Sequence, residues 1–129
     1  MKFSSIVLFE YKKQKREVLV ISLDEKNGLL YGIELSTLNT RERDLVISLY
    51  NNEIFRNRMY DEELTKLARK RDDKIQEVAL AHQIFIGAGL VNAIEATKIK
   101  NISATKMIML LRRQFRMFET KKIKKLEYV

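Results

Sequence analysis

The hydrophobic spacing of this chain changes period at Asn39, and that change restricts the fold more than any other feature. Before it, residues 17–23 alternate, with Val18, Val20 and Ser22 on one side and Leu19, Ile21 and Leu23 on the other, the two-residue period of a strand. The runs at 4–11 (SSIVLFEY) and 29–35 (LLYGIEL) have the same β-rich character. Between the second and third runs, Asp24-Glu25-Lys26-Asn27-Gly28 ends in Asn-Gly, a pair that accepts the positive φ values of a tight hairpin. Gly32 interrupts the third run and predicts a bulge or a close backbone approach, since glycine otherwise weakens a strand.

After Asn39 the spacing becomes helical. Asn39 can cap a helix while Glu42, three residues on, reaches back to its amide in a capping box. Leu45, Val46, Leu49 and Tyr50 form the buried stripe of that helix, and Asn51-Asn52 stops it. Asp61, Glu62 and Glu63 suit a positive helix start. From there Leu64, Leu67, Ala68, Ile75, Val78, Ala79 and His82 recur at helical spacing up to Gly87, in a helix either continuous or broken near Asp72-Asp73. Gly87-Ala88-Gly89 breaks the pattern in a chain without proline, and 90–99 predicts a further helix. The expectation is an α+β single domain, 1–129. Residues 1–38 form an N-terminal antiparallel sheet or small β-barrel, and the mainly helical part, 39–129, supplies three to four helices.

Composition closes several functional classes. At 129 residues the chain suits one domain, and 46% hydrophobic with 33% charged residues predicts a folded, soluble chain. Without cysteine there is no disulfide, thiolate nucleophile or Cys-based zinc site, and the single histidine cannot supply a metal pair, so no metal or cofactor is expected. The opening MKFSSIVLFEY reads as a strand rather than a signal peptide, and no stretch approaches the roughly 20 apolar residues of a spanning helix.

Net charge is +8, and its distribution matters more than its size. Residues 1–97 balance 15 bases against 15 acids, whereas 98–129 carry ten bases against Glu119 and Glu127. Those bases are Lys98, Lys100, Lys106, Arg112, Arg113, Arg116, Lys121, Lys122, Lys124 and Lys125. A second cluster, Lys12, Lys13, Lys15 and Arg16, lies between the first two strand-like runs, where a basic hairpin tip could sit near the basic tail in space. Charge runs are commonly solvated tails and turns; the alternative is a surface for a polyanion.

A final helix capped by Ser103 would put Ala104, Met107, Ile108, Leu111, Phe115 and Phe118 on one stripe, with Lys106, Arg112, Arg113 and Arg116 on the other side. Met109, Leu110 and Met117 widen the apolar surface beyond one core contact and are expected either to meet a partner, such as a second copy, or to be buried within the domain. The phenylalanines point to the core, so nucleic-acid contact through the arginines would be phosphate-directed and sequence-independent. Residues 123–129 form a last strand or a basic tail.

Enzymatic signals are sparse. Glu10-Tyr11-Lys12 has the Glu-x-Lys spacing of some metal-dependent nucleases, but residues 1–9 hold no acid to complete such a site. Asp24 and Glu34 flank a hairpin and could face each other, though the turn alone explains Asp24. His82 lies on the apolar side of its helix with no nucleophile pattern nearby, as a core histidine would. The glycine pairs lack the Lys-Ser or Lys-Thr of a phosphate loop. The expectation is a protein that is not an enzyme.

Residues 6–50 resemble a group of small tailed-phage proteins. The likeness rests on Phe9-Glu10-Tyr11-Lys12, the hydrophobic strand 19–23, Gly32-Ile33-Glu34-Leu35-Ser36-Thr37-Leu38, and Arg41 or Arg43 opening a helix. The chain departs from the group in lacking its Pro-Tyr-Tyr-Asp-type segment and in having Glu34 at the asparagine of Gly-Ile-Asn-Leu. The resemblance implies a non-enzymatic small-barrel protein associated with virions or packaged DNA, in the virion or host cytoplasm. Double-stranded DNA, bound without sequence preference, is then the expected partner. The other reading is an assembly or host-takeover component whose basic surface meets an acidic virion or host protein.

Overall fold

A computed structural model describes residues 2–71, 77–97, 99 and 102–129. The expected break at Asp72-Asp73, the stripe position Ile75, and the bases Lys98 and Lys100 lie outside the described residues. The α+β class holds, with strands β1 (Ile6–Tyr11), β2 (Gln14–Asp24) and β3 (Leu29–Glu34), then helices α1 (Thr40–Asn51), α2 (Glu53–Met59), α3 (Glu62–Arg71), α4 (Glu77–Ala88), α5 (Leu90–Thr97) and α6 (Ala104–Gln114). Two further strands follow, β4 (Phe115–Glu119) and β5 (Lys124–Tyr128), joined by a single 3-10 turn at Thr120–Lys122.

The chain forms two compact units, 1–44 with 114–129, and 45–113. The β-rich part therefore does not end at residue 38. The chain returns after the helices to complete the sheet, and the helical unit is an insertion between β3 and β4.

In the first unit the strand order is β4-β3-β2-β1-β5, every neighbouring pair antiparallel. Laid flat, β4 and β5 would stand about 19 Å apart at ~4.8 Å per strand. Yet only residues 120–123 connect them, three in a 3-10 turn that rises about 2 Å per residue. The sheet must curl. Its curl brings Phe118 of β4 against Phe9 and Tyr11 of β1, each pair of rings 5.1 Å apart, although β1 and β4 are three places apart in the order. The amide of Glu119 also donates to the Tyr11 hydroxyl at 3.3 Å. The result is a half-open barrel, whose edge strands β4 and β5 do not pair with each other among the described residues, filled by Val7, Phe9, Tyr11, Val18, Val20, Leu30 and Phe118, with Leu23 and Ile123 at its margin.

Val18 and Val20 face this core as the alternation predicts, but Leu23 joins them because the β2–β3 register shifts between Val20 and Ser22. The shift lies opposite Gly32, where a Cβ would sit 2.3 Å from Val18 Cγ1 and 2.7 Å from the Leu19 carbonyl oxygen. Both the bulge and the close approach expected there occur together. In the Asn-Gly turn, Gly28 takes φ +66° and the Asp24 carboxylate accepts from the Asn27 amide and side chain, at 3.2 and 2.8 Å.

The capping box forms as read, with the Glu42 amide donating to Asn39 Oδ1 (2.8 Å) and the Asn39 amide to Glu42 Oε1 (3.2 Å). Arg43, one residue on, grips Glu17 of β2 through two bonds of 2.6 and 2.9 Å. The Glu17 bond raises the Arg43 pKa.

In the second unit, Asn52 does more than stop α1: its side chain caps α2, an element the sequence reading lacks. α3 packs on α4, and α2 on α4 and α5. A stack of buried rings, Tyr50, Phe55, Phe85 and His82, forms its interior, with Phe55 4.9 Å from Tyr50 and 5.1 Å from Phe85. His82 is fully buried, bonds to the Tyr50 hydroxyl and is pushed down to a pKa of about 3 by burial, so it is neutral. The glycine breaker falls as expected, α4 and α5 bending by 77° about Gly89. Among the described residues no single helix is long and apolar enough to cross a membrane.

Candidate nucleic-acid interface

The helix capped by Ser103, whose hydroxyl accepts from the Lys106 amide at 3.2 Å, ends at Gln114 instead of continuing to Phe118. Residues 115–119 pair with β3, Gly32 opposite Arg116 and Leu30 opposite Phe118, and this pairing overrides the helical pattern. The single rod with an aromatic and a cationic face is therefore corrected. Phe118 is buried in the barrel, whereas Phe115, half-buried, packs on Tyr31 on the other side of β4.

Redirecting the chain also redistributes the charge. Lys106, Arg112 and Arg113 are exposed on α6 in the helical unit, while Arg116, Lys121, Lys122, Lys124 and Lys125 belong to the barrel. The barrel unit holds 13 bases against 9 acids and the helical unit 12 against 8. The excess that looks terminal in the sequence is shared equally between the two.

Arg16 and Arg116 leave the candidate interface. Both lie beside Glu34, a carboxylate only 2% exposed. Arg16 Nη1 donates to both Glu34 oxygens at 2.8 Å and its guanidinium lies 6.0 Å from the centre of the Phe118 ring; Arg116 Nε is 3.7 Å from Glu34. A buried carboxylate needs such partners, and the planar guanidinium meets it with two bonds at once. Glu34 pairs across from Val18 and Asp24 from Leu29, at opposite ends of β3, so the two acids do not face each other.

The remaining lysines converge. Lys12 and Lys13 form the two-residue turn between β1 and β2, with Tyr11 paired to Gln14. The Tyr11 hydroxyl holds the end of β4, so the 3-10 turn with Lys121 and Lys122 starts beside the same end of β1. One step back, Glu10 is paired to Lys15 on β2 and to Lys124 on β5, and Lys125 Nζ lies 3.4 Å from its carboxylate. Two segments from opposite ends of the chain thus form one rim of the barrel: Lys12, Lys13, Lys15, Lys121, Lys122, Lys124 and Lys125, all exposed.

Two acids lie within it. Glu119 bonds Lys122 at 2.6 Å, which lowers the Glu119 pKa and raises that of Lys122; Glu10 meets Lys125. Both pairs are solvent-exposed and worth little, so either lysine can exchange its carboxylate for a phosphate. Among the described residues, Lys12, Lys13, Lys15, Lys121 and Lys124 take part in no ion pair. An open groove of about 250 Å³ runs beside the rim, lined by Leu8, Glu10, Lys15, Lys125 and Glu127 among others.

The backbone of the rim is unusual. Lys12 and Lys13 have φ of +50° and +65°, and Lys125, at the β1–β5 register shift, has φ +55°. Three of the four non-glycine residues with positive φ among the described residues are therefore rim lysines. A side chain there crowds the following carbonyl at a cost of roughly 1 to 2 kcal/mol per residue. The two strand-like runs place a basic hairpin tip in this region but leave its bounds open, because the polar start of β2, Gln14 to Arg16, carries no apolar alternation.

No protein-family model, curated protein or solved structure matches the chain. The site rests on its own geometry. Of the three residues expected at a partner interface, Leu110 is buried (5% exposed) and is withdrawn; Met109 and Met117 are exposed, at 58% and 57%.

Proposed function

We propose that this protein is a non-enzymatic component of a tailed-phage assembly, in the virion or host cytoplasm, that holds double-stranded DNA by its phosphates through the lysine rim. The observation that carries this reading is the meeting of Lys12, Lys13 and Lys15 with Lys121, Lys122, Lys124 and Lys125 at one end of the barrel. Ammonium groups act on phosphate as mobile point charges, without the forked geometry by which arginine reads base edges, so contact is sequence-independent. The aromatic ring at the rim, Tyr11, is buried, which disfavours base stacking and thus single strands.

The test is anisotropy titration of a labelled duplex of arbitrary sequence. Neutralising about six phosphates weakens binding by roughly 10³-fold between 50 and 200 mM salt. Changing Lys121, Lys122 and Lys124 together to Ser reduces the salt slope by about 3. An affinity insensitive to salt, or unchanged in the folded triple variant, refutes the reading. Exposed Met117 and Met109 favour a second reading, in which the basic surface docks on an acidic virion or host protein. Polyglutamate that outcompetes duplex DNA at equal charge selects that reading.

A further inference from the structure

We infer that the Lys12-Lys13 turn is the principal gripping point for duplex DNA, kept in a strained backbone because its charges are needed at that apex. This inference rests on the phosphate-binding reading above and assigns its centre.

The link between β1 and β2 is a two-residue turn with positive φ at both positions, the geometry that Asn-Gly fits best. The next turn, the four-residue segment 25–28, puts its positive φ on a glycine, Gly28 at +66°. At Lys12 and Lys13 the chain instead carries two long side chains with a Cβ each, at φ +50° and +65°. Local backbone preference therefore opposes both residues.

Packing offsets little of that opposition. Both lysines are exposed and neither is in an ion pair among the described residues; the Lys12 Nζ lies 5.7 Å from the centre of the Tyr11 ring, and its charge helps to hold the Glu119 pKa down. Strain at two adjacent exposed residues with so little structural return is a mark of a functional position. The tight turn also fixes both stems at the apex before binding, so little backbone freedom is lost when phosphates arrive.

The decisive variant replaces Lys12 with Asn and Lys13 with Gly together. It relieves the strain and removes the charges, so stability and binding should move in opposite directions. The expected result is a Tm higher by several degrees, with duplex affinity at least tenfold weaker at low salt and a salt slope smaller by about 2. Changing Lys121 and Lys124 to Ser removes the same charge from the rim without altering the tip, and should weaken binding less.

Each failure points to a different error. If wild type shows no salt-dependent duplex binding, the phosphate-binding reading fails and this inference with it. If wild type binds and the tip variant binds equally well, or loses no more than the Lys121 and Lys124 pair, the rim stands and the tip is not its centre. A tip variant that melts no higher than wild type refutes the strain argument. Tighter binding of a single strand than of a duplex of equal length overturns the assignment of duplex DNA.

Discussion

Acidification should unfold this protein through one residue before most others. His82 is fully buried against Tyr50, and burial pushes its pKa down from 6.5 to about 3. Between those values the unfolded chain binds a proton that the folded chain refuses, so stability is complete above pH 6.5 and falls as pH drops. Each unit of pKa separation is worth about 1.4 kcal/mol, giving a loss on the order of 3 kcal/mol at pH 4.5 and 5 kcal/mol by pH 3. Against a total of ~5 to 15 kcal/mol, that decides whether the fold survives. The assay is urea unfolding followed by far-ultraviolet circular dichroism at half-unit steps from pH 7.5 to 4. His82→Gln, which keeps a polar group for the Tyr50 hydroxyl but does not titrate, supplies the reference. Glu119, held below its ordinary range by its bond to Lys122, affects both proteins alike and cancels in the difference. Because His82 is the single histidine, its imidazole resonances report the folded-state titration directly. Parallel pH profiles for the two proteins, or a folded His82 that titrates near 6.5, would refute the reasoning.

The barrel yields further tests by chemical denaturation. Phe118→Ala should cost about 3 to 5 kcal/mol, the usual penalty for emptying a buried aromatic site, while Phe115→Ala, at a half-buried position, should cost clearly less. Equal losses would mean that 115–119 still behaves as a helix face. Glu34→Ala should cost about 3 to 5 kcal/mol, because it strips the Arg16 guanidinium of its partner at 2.8 Å inside the barrel; a neutral effect would show that solvent reaches that pair.

Locally encoded features were legible in the sequence and those made by distant pairing were not. The Asn39–Glu42 box, the Asn27-Gly28 turn, the Ser103 cap and the Gly89 break each depend on residues within a few positions, and each forms where the sequence places it. The α6 boundary depends on β3, some eighty residues earlier, offering an edge to Phe115–Glu119; periodicity alone extends the helix across the junction. The candidate site divides in the same way. The lysines were visible as two clusters that could meet, but the meeting itself depends on the curl of the sheet, the 3-10 turn and the Tyr11 hydroxyl. Arg16 and Arg116 looked like their equals until Glu34 was seen to hold them, a pairing across strands that no local spacing encodes.

The barrel unit sorts its two kinds of base by chemistry. Arg16, Arg43 and Arg116 lie beside Glu34 or Glu17, in contacts that lock strand to strand and strand to helix. Guanidinium suits that use, being weakly hydrated and able to bond both carboxylate oxygens in one plane. The rim is lysine throughout, and ammonium loses more hydration on burial but ranges freely at the surface. Exchanging the two types would therefore damage both functions. Lysine at 16 would replace the weakly hydrated planar group that lies against the Phe118 ring beside Glu34 with a strongly hydrated ammonium, and arginines at the rim would bring forked donors able to read guanine edges. If the rim holds duplex DNA as proposed, that use is served by the arrangement present here, in which stability is held by the fixed charges and contact is left to the mobile ones.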